Sequence, residues 1–407
     1  MTKIIIDKEK INEVLTRGVE KIYPDRASAE KVLLSGKRLR IYCGFDPTAP
    51  SLHIGNAIQI NKLSQLQELG HEIIFLIGDF TAMIGDPTDK LAVRKKLSRK
   101  EVLANAKNYQ KQASAYLKFS GANPAKVLHN SKWQDKLTFK ELIEITSNFT
   151  VGQMIVRDMF QKRMAENKPI YLHEFLYPVA QAIDSVVMDV DMEIGGNDQT
   201  FNILAGRDLL KAMKGKEKFV LTQKLLADDT GKKMGKTEGN VVNLDETPEN
   251  MYGKFMSWPD GVILVGMELC TKLPLAEVEA ARQALQTGTN PRDLKMKLAF
   301  EITKLVHGEK KARAAEDYFV RTIQKKELPA EFETVFVSGG PYTTTTLLPV
   351  SGMASSKSEA KRLVQGRGVK IDGEVVIDAE KEVEIPEEGI IIQKGKRGIV
   401  RVKKNKK

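Results

Sequence analysis

The stretch from Tyr42 to Asn56 restricts what this chain can fold into more than any other. Residues 41–43 read as the end of a buried strand, and Gly44 with Asp46-Pro47 turns the chain. A helix then opens at His53 and carries an apolar-periodic run over residues 54–69, closed by Gly70. A helix opening on a strand end leaves free N–H groups that can hold a phosphate. His53 adds a donor there, and Gly55 lets a base or a backbone come close. The same pattern also suits an ordinary strand-to-helix turn with an incidental histidine. The rest of the chain has to decide.

Residues 73–79 form a near-continuous apolar run after Gly70-His71, as a buried parallel strand should. They feed a loop, residues 80–90, that contains Thr81 and Gly85-Asp86-Pro87-Thr88-Asp89-Lys90. Strand, loop and helix in alternation predict a doubly wound α/β domain with ligands at the carboxyl ends of its strands. Helical spacing covers residues 11–22, 27–34, 98–119 and 138–164, with a short strand predicted at 126–129. Next come Tyr177, Gln181 and Asp184 at i, i+4 and i+7, three polar groups on one helix face. Pro178 puts the start of that helix close to itself. Its flanks are apolar nearly all round, so the helix reads as buried and its polar face needs partners. A bound ligand can supply them; a solvated face is the alternative.

Residues 192–199 read as a short strand ending in a Gly195-Gly196 turn, before a helix over 201–213 capped by Asp198 or Thr200. Residues 219–226 form a strand running into a loop, and Lys232, Lys233 and Lys236 make the stretch 228–240 cationic. Such a loop suits a polyphosphate in transfer, although it lacks P-loop spacing and alone reads more often as a solvated charged loop. Residues 247–326 are mostly helical, punctuated by prolines. Glycines and threonines over 327–346 read as a linker. A helix at 356–365, a hairpin centred on Asp372-Gly373 and strands at 390–393 and 399–402 complete the chain. The expected organisation is an α/β domain over 1–240, a helical domain over 241–326, a linker over 327–346 and an α+β module over 347–407.

Charge sharpens this. The net charge is +11, and residues 394–407 hold eight basic side chains and no acidic one. A basic module suggests a polyanion, most often nucleic acid; a solubilising tail is the alternative. Cys43 and Cys270 are lone residues without metal-ligand spacing, so neither a disulfide framework nor a structural metal is expected. No apolar run is long enough to span a bilayer, and Met1-Thr2-Lys3-Ile4 lacks a signal-peptide core, so the expected location is cytoplasmic with no membrane partner.

In this order the pieces resemble the bacterial-type tyrosyl-tRNA synthetases, over nearly the whole chain. His53-Ile54-Gly55-Asn56 is similar to the class I HIGH motif, with Asn56 in place of the second histidine, and Lys233-Met234-Gly235-Lys236-Thr237 is similar to KMSKS in its KxGKT form. The last module resembles the small RNA-binding domain shared with a ribosomal protein. The resemblance implies a Rossmann-like catalytic domain, an anticodon-arm-binding helical domain and an RNA-binding module. It further implies that Tyr42 and Asp184 bind the phenol of L-tyrosine, that Asp86, Tyr177 and Gln181 hold its α-ammonium, and that Gln199 approaches its carboxylate. Cys43, Gly44, Asp46, Gly55, Asn56, Gly196, Asp198, Leu225 and Leu226 would line the ATP side. His53, Thr48, Lys90, Arg94, Lys233, Lys236 and Thr237 would carry catalysis, with Mg²⁺ arriving on ATP and no metal held by the protein. Arg367, Lys370, Lys394, Lys396, Arg397 and Arg401 would meet tRNA(Tyr), and the family implies a homodimer.

The nearest competing reading is a tryptophanyl-tRNA synthetase, which shares fold and motifs. Tyr42 with Asp184 argues against it, because an indole offers one donor and no acceptor. Another HIGH-type nucleotidyltransferase would leave the basic module without use. A non-catalytic RNA-binding protein on the same scaffold is opposed by the presence of His53, Asp86, Asp184 and the KxGKT loop.

Overall fold

A computed structural model describes residues 3–88, 97–228, 234, 241–324, 333–338, 340–395 and 398–405. The chain divides into two compact units, residues 1–316 and 317–407.

The first unit is built on a six-stranded sheet. Its strands are β1 Val19–Tyr23, β2 Arg40–Phe45, β3 Glu72–Ile77, β4 Lys126–His129, β5 Met192–Gly196 and β6 Phe219–Gln223. Their order is β1-β6-β5-β2-β3-β4. β2 to β6 run parallel, and only β1 is antiparallel, on the edge against β6. The chain leaves β2 toward β3 and β4, then returns to β5 and β6 on the other side. β2 and β5 are therefore the switch point, where the carboxyl ends of open parallel sheets bind ligands. β3 and β5 are almost wholly buried, which explains their apolar runs.

The helix Ile54–Glu68 lies between the sheet and the helices that follow it, and is buried on most of its surface, including Asn61 and Lys62. Lys62 is satisfied by donating to the carbonyls of Val14 (2.8 Å) and Arg17 (2.9 Å). Arg17 donates in turn to the carbonyls of Glu268 (2.9 Å), Leu273 (2.6 Å) and Thr271 (2.9 Å), tying the N-terminal helix Lys8–Thr16 to the helical layer. That layer comprises Pro248–Met256, Ile263–Cys270, Leu275–Gln286 and Pro291–His307. No described helix is long and apolar enough to cross a membrane.

Three local expectations are corrected. Residues 11–22 are not one helix: the helix ends at Thr16, Gly18 takes φ +63°, and Val19–Tyr23 becomes β1. Pro178 lies inside the helix Leu172–Met188 rather than at its start. The helix begins a turn and a half earlier because Glu174 Oε1 accepts from the Tyr171 N–H (2.9 Å) and pairs with buried Arg163. Gly195 and Gly196 end β5 rather than forming a turn, and neither Asp198 nor Thr200 caps the next helix, Thr200–Lys214: its capping residue is Gln199, whose side chain makes no capping bond to the helix backbone.

The second unit carries a five-stranded sheet, β7 Thr334–Val337, β9 Val369–Ile371, β10 Glu374–Val375, β12 Ile390–Lys394 and β13 Gly398–Lys404, in the order β10-β9-β12-β13-β7. β8 Tyr342–Thr343 pairs with β11 Glu382–Val383 in a separate ribbon. Two helices, Thr344–Val350 and Lys357–Gln365, close a core around Leu347, Leu348, Val364, Ile392 and Val402. The stretch read as a linker, 327–346, thus contributes β7, parallel to β13, and β8. Its β-branched and aromatic run Thr334-Val335-Phe336-Val337 finds a strand partner more than sixty residues later. The basic stretch is not a tail either, since Lys394 ends β12 and Arg401, Lys403 and Lys404 lie on β13.

Candidate active site

A cavity of about 330 Å³ opens at the carboxyl ends of β2 and β5. It is lined by Tyr42, Cys43, Gly44, Asp46, Thr48, His53, Gly55, Asn56, Asp86, Tyr177, Gln181, Asp184, Gly196, Asp198, Gln199, Leu225 and Leu226. Residues scattered over more than 180 positions therefore meet at one place. Lys90, Arg94, Lys233, Lys236 and Thr237 lie outside the described residues. Met234, which belongs to the same motif, lines the cavity.

At the deep end sits Asp184, only 2% exposed. Trp133 Nε1 (2.8 Å) and Gln134 Nε2 (3.0 Å) donate to its Oδ1, and Asn130 Nδ2 (3.2 Å) donates to Oδ2. Burial raises this carboxyl to about 7 despite those donors, with Glu193 adding to the rise. Tyr42, 1% exposed, places its hydroxyl 2.9 Å from Ser185 Oγ. Its phenol is pushed well above its ordinary range, first by burial and then by Glu193 and Asp184. A buried carboxyl beside a buried phenol makes a pocket for a partner that both donates and accepts, such as another phenol.

Nearer the mouth, Gln199 Nε2 donates to Asp86 Oδ2 (2.7 Å), and the Thr88 N–H (2.9 Å) and Oγ1 (2.7 Å) hold Asp86 Oδ1. Tyr177 donates to Asp46 Oδ2 (2.9 Å), while Thr81 Oγ1 donates to Asp46 Oδ1 (2.7 Å). Gln181 Nε2 donates to Glu193 Oε1 (2.9 Å). Two carboxylates, Asp46 and Asp86, thus stand fixed in one cavity, an arrangement suited to an ammonium and to ribose hydroxyls.

His53 is the capping residue of the helix Ile54–Glu68, and its own N–H donates to Asn56 Oδ1 (3.0 Å). Asn56, which replaces the second histidine of HIGH, closes the first turn of that helix. A Cβ at Gly55 would lie 3.0 Å from the His53 ring, so glycine there lets the imidazole fold over the helix start.

Sequence reasoning missed Asn130, Trp133 and Gln134 around Asp184, and Ser185, Glu193 and Lys218 around Tyr42. Glu193 carried a readable signal: an acid inside an otherwise apolar strand requires a buried partner. The described residues contain no cluster of three or more His, Cys, Asp or Glu able to hold a metal ion. In the second unit Arg367 and Lys370 are exposed and Arg401 is partly so, Lys394 is paired with Glu359 (2.9 Å), and Lys396 and Arg397 lie outside the described residues.

Residues 34–324 match the family model for class I tRNA synthetases of the tryptophan and tyrosine branch, and residues 346–389 match the S4 domain. The chain belongs to that class. A tyrosine–tRNA ligase from Moorella thermoacetica is 42% identical over 394 residues, covering 96% of this chain and 94% of its own. One from Thermotoga maritima is 42% identical with 96% of each covered, and a Vibrio parahaemolyticus protein, tyrosine–tRNA ligase 2, is 44% identical over 95% and 97%. A C-terminally truncated mitochondrial tyrosyl-tRNA synthetase from Coccidioides posadasii superposes with a TM-score of 0.62 at 25% identity, covering 76% of this chain and 91% of its own. Within the class, the chain is of the bacterial tyrosyl-tRNA synthetase type with an S4 domain.

Proposed function

We propose that this tyrosine–tRNA ligase works through the cavity between β2 and β5. The observation that carries the reading is the buried pair of Tyr42 and Asp184 at its deep end. Asp184 accepts the proton of the tyrosine phenol and Tyr42 donates to the phenol oxygen. Asp86, Tyr177 and Gln181 take the α-ammonium, and Gln199 approaches the carboxylate. Phenylalanine would bring no donor to the Asp184 carboxylate and no acceptor to the Tyr42 hydroxyl, so each would lose the partner that tyrosine supplies. An indole would leave Tyr42 without an acceptor.

ATP binds on the side of Cys43, Gly44, Asp46, Gly55, Asn56, Gly196, Asp198, Leu225 and Leu226, and Mg²⁺ arrives on its phosphates. The tyrosine carboxylate attacks the α-phosphorus, giving tyrosyl-adenylate and pyrophosphate. No protein nucleophile takes part, because the substrate supplies one. Thr48 and His53, with Lys90, Arg94, Lys233, Lys236 and Thr237, steady the charge that develops on the phosphates. A ribose hydroxyl of the 3′-terminal adenosine of tRNA(Tyr) then takes the tyrosyl group from the adenylate, forming an ester and releasing AMP. We assign the chemistry to 1–240 and the anticodon arm to 241–326. We assign tRNA contacts in 347–407 to Arg367, Lys370, Lys394, Lys396, Arg397 and Arg401. The working location is the cytoplasm, where that tRNA is used.

A homodimer fits an apolar outer surface on the helices beyond β4. Phe139 (78% exposed), Ile143 (54%), Val151 (79%) and Leu172 (79%) face outward, while Ile145, Met154 and Val179 on the same helices form the core beneath. Apolar exposure of this kind marks an interface.

The test is ATP–pyrophosphate exchange with each standard amino acid in turn. Exchange with tyrosine alone is expected, and Asp184→Ala should impair tyrosine activation far more than ATP binding. Exchange driven by tryptophan, or equal loss of both affinities in Asp184→Ala, would overturn the reading.

A further inference from the structure

Beneath Tyr42 lies a buried charge pair that neither the motifs nor the activity accounts for. Lys218, at the entry to β6, is fully buried, and Glu193 on β5 is 1% exposed. Lys218 Nζ pairs with Glu193 Oε2 and donates to Ser185 Oγ (2.8 Å). Ser185 Oγ lies 2.9 Å from the Tyr42 hydroxyl and 3.3 Å from Glu193 Oε2. The ammonium also stands 5.9 Å from the centre of the Tyr42 ring. The other Glu193 oxygen, Oε1, accepts from Gln181 Nε2 (2.9 Å).

The fold makes room for this arrangement at a cost. A Cβ at Gly206, in the middle of the helix Thr200–Lys214, would lie 2.7 Å from Lys218 Nζ and 2.8 Å from Ser185 Oγ. Glycine inside a helix is unfavourable relative to alanine, and a buried ion pair is seldom more stable than apolar residues of the same shape. Stability alone does not explain the pair. Direction does.

We propose that Lys218 and Glu193 are positioning residues that set the hydrogen-bond polarity of the pocket receiving the tyrosine substrate. An ammonium only donates, so Lys218 occupies a lone pair of Ser185 Oγ and leaves that hydroxyl its single proton to place. Glu193 Oε2, already paired with Lys218, lies at 3.3 Å, beyond a good O–H···O distance, whereas Tyr42 lies at 2.9 Å. Ser185 therefore donates to Tyr42, and the Tyr42 proton, which faces Glu193 in the empty pocket, turns to the substrate phenol on binding. Glu193 acts likewise on Gln181. By accepting the amide N–H it turns the Gln181 carbonyl oxygen toward the α-ammonium. Donor meets acceptor at both ends of the substrate because one buried pair fixes both side chains.

The inference rests on the phenol lying at Tyr42 and Asp184, so the experiment separates the two. Pyrophosphate exchange is measured with tyrosine and with phenylalanine for wild type, Lys218→Met, Tyr42→Phe and the double variant. Phenylalanine makes no use of the Tyr42 hydroxyl and reports any general damage. Lys218→Met should lower kcat/KM for tyrosine about tenfold, the scale of one misdirected buried hydrogen bond, with little change for phenylalanine or in KM for ATP. In the Tyr42→Phe background the same substitution should not lower the preference for tyrosine further. Equal losses for both amino acids, or additive effects in the double variant, would overturn the proposal. If Tyr42→Phe alone leaves the preference intact, the placement of the phenol fails instead. Should Lys218→Met not fold, Ser185→Ala breaks the same relay without stranding Glu193 and should show the same selective loss.

Discussion

Replacing Asp184 by asparagine should simplify the pH behaviour of this enzyme and stabilise its empty form. The carboxyl is displaced from 3.8 to about 7 by burial. Ionisation of a group so displaced is disfavoured by roughly 4 kcal/mol. Its contribution to stability is whole below about pH 4 and is lost as the pH rises to about 7, with no further change above. Asparagine keeps the shape and never ionises. It retains acceptors for Trp133 and Gln134 but turns a donor toward Asn130, a loss of about 1 to 2 kcal/mol. Asp184→Asn should therefore be more stable than wild type by about 2 to 3 kcal/mol at pH 8 and no more stable at pH 4. Function should move the other way. On the proposed placement of its phenol, tyrosine needs the ionised carboxylate, whose fraction falls from about 0.9 at pH 8 to about 0.1 at pH 6. Wild-type kcat/KM for tyrosine should fall about tenfold over that range. The variant should be weaker by about 10- to 100-fold at pH 8, the scale of a hydrogen bond to a charged group, and flat. Histidines ionise in the same window, so the difference between the two profiles is the quantity to read. Denaturant titrations at pH 4 and 8 and exchange assays from pH 6 to 8 measure both halves. An equal slope in wild type and variant, or a variant less stable at pH 8, would refute the reasoning.

Other parts of the fold make equally definite predictions. Arg157, 8% exposed, donates to Thr88 Oγ1 (2.8 Å), which holds Asp86, and lies over the Phe201 ring at 4.7 Å. Arg157→Met should raise KM for tyrosine about five- to tenfold through a loosened Asp86 while KM for ATP holds; equal rises in both would argue against that role. Arg163→Met leaves Glu174 buried without its bidentate partner and should cost about 3 to 5 kcal/mol in a denaturant titration. A loss below 1 kcal/mol would mean the site relaxes. Phe139→Asp puts a charge on the exposed apolar helix face and should shift the proposed homodimer to monomer in sedimentation; a dimer unchanged by the substitution would place the interface elsewhere, and a monomeric wild type would refute the proposed dimer.

What could be read from sequence was whatever a local pattern decides. The apolar runs of β2 and β3, the short β4 and the helix opening at His53 depend on neighbours a few residues away, and their periods show it. So does the shared face of Tyr177, Gln181 and Asp184, fixed by helical spacing once the helix exists. β1 and β7 were opaque because each pairs with a strand far along the chain, Val19–Tyr23 with β6 and Thr334–Val337 with β13. Pro178 misled for a related reason: the helix start is held by Arg163 on another helix, which outweighs a missing N–H. Lys218 is the clearest case. In Lys214-Gly215-Lys216-Glu217-Lys218 it is one lysine of three in a charged turn, and nothing local sets it apart from Lys214 and Lys216, which stay partly exposed. Its meaning comes from the strand beside it. β5 carries Glu193 where every other side of the strand is buried, and an acid so placed obliges the fold to supply a cation. Of the two strands beside β5, β2 and β6, it is β6 whose directly preceding residue is a cation, Lys218. Once the sheet order is known, the pair follows, and with it the reason Gly206 has no side chain.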